Sequence, residues 1–157
     1  MAVKLEKEII ELLNDPDSIK VLATTDKEGN PHVVFKGTLH ASEDGYITYW
    51  ELIETSQTNK NMVNSIWFHK QVAINVRKDK VSYQIKGIPY RSIISGHEFE
   101  EAYKQAQKIA KETDLSAVWL IEPIQVIEQT YKKRRAEEEA EHPILKHLDK
   151  LLVQNND

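Results

Sequence analysis

The 157 residues predict a mainly β fold, six to seven antiparallel strands in a small closed or split barrel, with flanking helices and a C-terminal helical extension. Three observations lead there. Between Ile19 and Leu52, three β-rich runs are separated only by short loops of turn residues, the signature of an antiparallel meander. Helical periods intervene only after the third strand and before the last, so strands and helices do not alternate regularly. The early connections are also too short for the crossovers that a parallel sheet requires.

Each element follows from its own pattern. Val3 to Leu13 carries Leu5, Ile9, Ile10, Leu12 and Leu13 at three- and four-residue spacings, an amphipathic helix stopped by Asn14-Asp15-Pro16-Asp17. Lys20 to Thr25 reads as a strand, and Asp26 to Asn30 as a loop of turn formers. Pro31 to Ser42 reads as one continuous second strand. Its alternation puts Val33, Phe35, Gly37, Leu39 and Ala41 on an apolar face fit for a barrel interior. His32, Val34, Lys36, Thr38 and His40 fall on the other face, suited to solvent or to lining a ligand. Glu43-Asp44-Gly45 turns into a third strand, Tyr46 to Leu52.

Between Glu54 and His69 the period becomes helical, with Met62, Val63, Ile66 and Trp67 as the apolar stripe and Ser56 and Thr58 as candidate N-caps. Strands resume at Gln71 to Val76, at Val81 to Ile88 and over Pro89 to Ser95. His97 to Glu112 is a helix that turns Phe99, Ala102, Tyr103, Ala106 and Ile109 inward. The last strand, Ala117 to Thr130, has an edge or bulge at Pro123. Trp119 alternates out of the Val118–Leu120 face, which suits a dimer interface. Residues 1–131 form the barrel domain and 132–157 the extension. There, Lys132 to Arg135 faces Glu137 to Glu139 at helical spacing as a solvated helix. Beyond Pro143, an apolar stripe from Ile144 to Leu152 needs a surface to cover.

Composition bounds the function. A formal charge of −4, from 21 basic and 25 acidic residues, argues against a nucleic-acid protein relying on a basic field. Cysteine is absent, which removes disulfides, thiolate metal sites and cysteine nucleophiles. The six histidines show no metal-ligand spacing, and the five glycines form no dinucleotide or P-loop motif. With no apolar run of spanning length, the expectation is a soluble cytoplasmic domain without a membrane partner.

The run Ser56-Gln57-Thr58-Asn59-Lys60-Asn61 opens the central helix. A helix start offers free N–H groups and partial positive charge, which suit a phosphate monoester as well as ordinary capping. The hydroxyls of Ser56 and Thr58, the Lys60 ammonium and the Asn61 amide add donors, and Lys36 brings a second cation to the same end of the sheet. His32 begins the polar strand face and reads as a surface histidine.

Taken in order, Val21 to Thr25, Gly29 to Val34, Tyr49-Trp50-Glu51, Ser56 to Asn61 and Val72 to Val76 resemble the pyridoxamine 5′-phosphate oxidase-like, FMN-binding split-barrel family. The resemblance runs from about Ile19 to Thr130 and lies nearest the family's small FMN-binding proteins. It implies a split barrel that dimerises, with FMN in clefts between the subunits. Thr58, Lys60 and Asn61 fall where such proteins grip the FMN phosphate, with Ser56 at the same helix start. Phe35 and Lys36 fall on the strand that meets the flavin ring and ribityl chain, and Trp50 and Glu51 on the next strand. Lys36 at the pyrimidine edge would stabilise the anionic reduced ring. The function expected is an FMN-dependent oxidoreductase acting on a small-molecule redox partner. The alternatives are a non-catalytic FMN electron carrier and a split barrel that binds haem or another small ligand.

Overall fold

The computed structural model describes residues 2–143 and Leu151, and the apolar stripe expected from Ile144 to Leu152 otherwise lies outside them. The elements in chain order are α1 (Lys7–Asn14), β1 (Ile19–Thr25), β2 (Pro31–Phe35), β3 (His40–Ala41), β4 (Ile47–Glu51), α2 (Gln57–Trp67), β5 (Val72–Lys78), β6 (Val81–Ile93), α3 (His97–Ile109), β7 (Ala117–Glu128) and α4 (Tyr131–Glu141). All seven strands join one antiparallel sheet, curled into a half-barrel, in the order β2-β1-β5-β6-β7-β4-β3. The mainly β split-barrel expectation therefore holds, with helices inserted after β4 and before β7.

Alternation along the strands fills the concave side. Leu22, Ile47, Ile74, Val76, Ile85 and Ile121 are buried there with Leu39 and Met62. Helix α1 closes the core with Ile9 and Leu13, and Leu5 precedes it on the same face. A second cluster gathers Ile93, Ala102, Leu115 and Val118 beneath α3, with Phe99, Trp50, Leu52 and Leu120 packed against it. Pro89 does not start a new strand. β6 runs through it unbroken, with register shifts at Lys86/Gly87 and Pro89/Arg91. The expected bulge at Pro123 is present, because Lys86 faces Gln125 while Gly87 faces Pro123, leaving Ile124 unpaired.

Four expectations are corrected. The second strand breaks at Phe35, and the chain crosses over Lys36–Leu39 to the far side of the sheet, where His40–Ala41 forms β3. The faces of β2 are also reversed from the expected sense. Val33 and Phe35 stand 64% and 77% exposed, whereas His32, Val34 and Lys36 are half-buried toward α2. β2 is an edge strand whose inner side meets the polar start of α2, so hydrogen bonding rather than apolar packing sets its orientation.

Helix α2 likewise packs through Thr58, Asn61, Met62 and Ser65, leaving Trp67 76% exposed and Val63 exposed. Asn61 Nδ2 donates to Thr24 Oγ1 on β1 at 2.9 Å, and Ser65 Oγ donates to Asn61 O. Satisfied side chains of this kind let a helix bury a polar face. Finally, Trp119 is in the core rather than outward, and its Nε1 donates to Asn59 Oδ1 at 2.9 Å. Helix α4 is exposed along its length and carries Arg134–Glu137 and Arg135–Glu139 ion pairs, as the charge spacing requires.

Candidate functional site

A cleft of about 390 Å³ opens between β2, β4 and the start of α2. Its lining mixes apolar Val34, Phe35, Trp50, Leu52 and Ile53 with polar His32, Lys36, Thr38, Glu51, Ser56, Gln57 and Thr58. Strand alternation supplies the first contributions and helix capping the rest.

Ser56 is the N-cap of α2, and its Oγ accepts from the Asn59 N–H at 3.0 Å. The same hydroxyl donates to Glu51 Oε1 at 2.7 Å. Glu51 Oε2 receives the Lys36 ammonium at 2.9 Å. Glu51 is 1% exposed, so an ion pair and a hydroxyl together satisfy a buried carboxylate at the floor of the cleft. Lys36 also lies 5.3 Å from the centre of the Tyr49 ring. Burial, and then the Glu51 carboxylate, pushes the Tyr49 phenol far above its ordinary pKa. The Tyr49 hydroxyl is buried without a hydrogen-bond partner among the described residues. Tyr49→Phe should therefore be neutral or stabilise the fold by about 1 kcal/mol in urea denaturation, because it removes an unmet donor.

His32 Nε2 lies 3.2 Å from Thr58 Oγ1 and ties β2 to the helix start. The Gln57 and Thr58 N–H groups precede the first in-helix acceptor and donate to no group among the described residues. They give the rim two donors and the positive end of α2.

The residues singled out from sequence divide into two sets. Phe35, Lys36, Trp50, Glu51, Ser56 and Thr58 come together around the cleft. Lys60 is exposed on α2 and lines no part of it, while Asn61 is buried with Gln57 donating to its Oδ1 at 2.7 Å. His32, Gln57 and Thr38 line the cleft without having been chosen. For His32 the signal was available: it shares a strand face with Lys36.

Behind the wall formed by Gly37, Thr38 and Trp50, burial lowers the pKa of His40, and the Thr38 carbonyl beside Nδ1 partly opposes this. A depressed folded-state pKa means that the unfolded chain binds the proton more tightly. The contribution of His40 is thus complete above its ordinary value of 6.5 and is lost as pH falls through the lower folded value. Thermal unfolding of His40→Gln should show a flatter stability profile below pH 6.5 than the parent chain.

Among the described residues no helix is long and apolar enough to cross a membrane, and no cluster of His, Asp and Glu could hold a metal ion. No family model and no curated protein matches the sequence. Solved structures do. HupZ from Group A Streptococcus is similar at 22% identity and a TM-score of 0.65, over 81% of this chain and 95% of its own. An FMN-binding protein from Syntrophomonas wolfei is similar at 14% identity and a TM-score of 0.62, over 78% and 87%. HutZ, the haem storage protein of Vibrio cholerae, is similar at 16% identity and a TM-score of 0.55, over 80% and 94%. Proteins assigned as pyridoxamine 5′-phosphate oxidases from Lactobacillus delbrueckii and Listeria innocua share the fold at TM-scores of 0.59 and 0.58. The chain therefore has the split-barrel fold of the pyridoxamine 5′-phosphate oxidase-like, FMN-binding proteins.

Proposed function

We propose that the chain binds FMN in the cleft between β2, β4 and α2 and serves as a flavin-dependent oxidoreductase for a small-molecule redox partner. One observation carries this reading: a single cleft combines the apolar side chains of Phe35, Trp50, Leu52 and Ile53 with the first residues, Gln57 and Thr58, of an 11-residue helix. Such a cleft suits a flat apolar ring joined to an anionic tail. Gln57 and Thr58 N–H, with the Thr58 hydroxyl, would receive the phosphate. Trp50, Leu52 and Phe35 would flank the ring, and Thr38 and Ser56 would meet the polar chain. Lys60 and Asn61 would act from outside the cleft, Lys60 through its charge and Asn61 by fixing α2 to β1. The Lys36 charge that would favour a reduced, anionic ring is largely offset by Glu51.

When bound, FMN supplies hydride or electron transfer, and the protein positions it and controls access. Phe35 and Ile53 leave apolar surface at the mouth, 77% and 63% exposed. A second copy of the chain would cover this surface, so the proposed assembly is a homodimer with the cofactor at its interface.

The test is a titration of the purified chain with FMN and with riboflavin, followed by flavin fluorescence. FMN should bind about tenfold more tightly than riboflavin, since only the phosphate meets the helix start. Equal affinity, or no uptake of FMN, would overturn the proposal. A second reading, haem in the same cleft, draws on the position of His32. The Nε2 of that ring is already engaged by Thr58, and a Soret band on adding haemin would be the observation in its favour.

A further inference from the structure

A second cleft of about 370 Å³ lies on the other side of the Gly37-Thr38-Trp50 wall, bounded by α1, β1, β3 and α3. At its base is Lys20, a lysine only 7% exposed. Its ammonium donates to the carbonyls of Leu39 at 2.8 Å and Leu13 at 3.1 Å, the second being a free carbonyl at the end of α1. An ammonium has three N–H donors, so one is left over. Among the described residues no carboxylate pairs with Lys20. Asp15, which acts on it through space, is itself paired with Lys78. No acidic residue lines the cleft.

The surrounding groups are equally specific. His40 Nδ1 is 2.8 Å from the Thr38 carbonyl, which can only accept, so Nδ1 carries the hydrogen and neutral Nε2 is an acceptor. The His40 ring stands edge-on to Trp50, with centroids 5.5 Å apart. Ile109 and Gln105 of α3 form the lip. A buried cation without a counter-ion, an apolar aromatic wall and one acceptor make a small-ligand site.

We infer that this cleft binds a small organic carboxylate with an aromatic or branched body, its anionic group meeting Lys20 and its body resting between Trp50 and Ile109. A hydroxyl or amide N–H on the ligand would donate to His40 Nε2. The inference does not depend on FMN, because Lys20, His40 and Ile109 line this cleft and not the other. The two clefts share Gly37, Thr38 and Trp50, and Thr38 donates to the Trp50 carbonyl at 3.0 Å and accepts from the Trp50 N–H at 3.1 Å.

Benzoate is the probe and benzamide its uncharged control, both titrated calorimetrically into the full chain. Benzoate should bind at least about tenfold more tightly than benzamide if a desolvated ammonium reads the charge. Ile109 is 73% exposed, so its replacement spares the fold and reports only on the lip of this cleft. Both replacements remove the Ile109 contact, so the charge is read from the pair: benzoate should bind Ile109→Lys about tenfold more tightly than Ile109→Glu. Lys20→Met should abolish the preference over benzamide. If that variant does not fold, the Ile109 pair still decides the matter. Three results would each overturn the site: equal binding of benzamide, indifference to both Ile109 charges, or displacement of benzoate by FMN. A chain that takes up no FMN but passes the Ile109 test would retain this site and lose only the flavin reading.

Discussion

Lys36→Met is expected to destabilise the fold by about 3 kcal/mol, measured by urea unfolding at neutral pH, because it leaves Glu51 buried without its cation. Glu51 is 1% exposed and cannot reach water, whereas the Lys36 side chain is 17% exposed and can. The two halves of the pair are therefore unequal. Glu51→Gln keeps the shape and a polar partner for Ser56, and frees an ammonium able to turn outward. It should cost clearly less than Lys36→Met. Equal losses would mean that the pair acts as a surface ion pair and that the floor of the cleft is wet.

Gly87→Ala should be nearly as damaging, with a loss of about 2–3 kcal/mol by the same measurement. Gly87 sits on β6 at the register shift opposite Pro123. A Cβ there would collide with the Cγ2 of Ile121 and lie 3.0 Å from the Glu122 carbonyl oxygen. Ile121 is fully buried and β-branched, so it has little freedom to yield, and the carbonyl belongs to the paired strand. The glycine is therefore required by close approach of two strands and not by a turn. Wild-type stability in the alanine variant would show that the bulge is loose enough to absorb a methyl group.

Much of this architecture was legible in the residues. Strand runs such as Ile19–Thr25 and Val72–Val76 are rich in β-branched residues, and each appears within a residue or two of its expected limits. The helix start at Ser56 was equally plain, because a serine N-cap names its own position. What failed was the assignment of faces. In β2 the apolar residues point outward because that strand has a neighbour on one side only, and its inner face is claimed by Thr58. In α2 the Asn61–Thr24 hydrogen bond outranks the Val63–Trp67 stripe. Periodicity reports which residues share a side and is silent on which side a polar partner will occupy. Six of the eight chosen site residues converge because capping and alternation place them there. The pairing of Glu51 with Lys36 joins the end of β4 to the crossing that leaves β2, and no local pattern encodes it.

The short crossing from Phe35 to His40 has a geometric consequence. It joins the two outermost strands of the seven-stranded sheet. Laid flat, those rims would stand about 29 Å apart at the usual inter-strand spacing. Five peptide steps reach at most about 18 Å. The covalent chain is thus a clasp that forbids the flat state, and the hollow on either side of it exists before any ligand arrives.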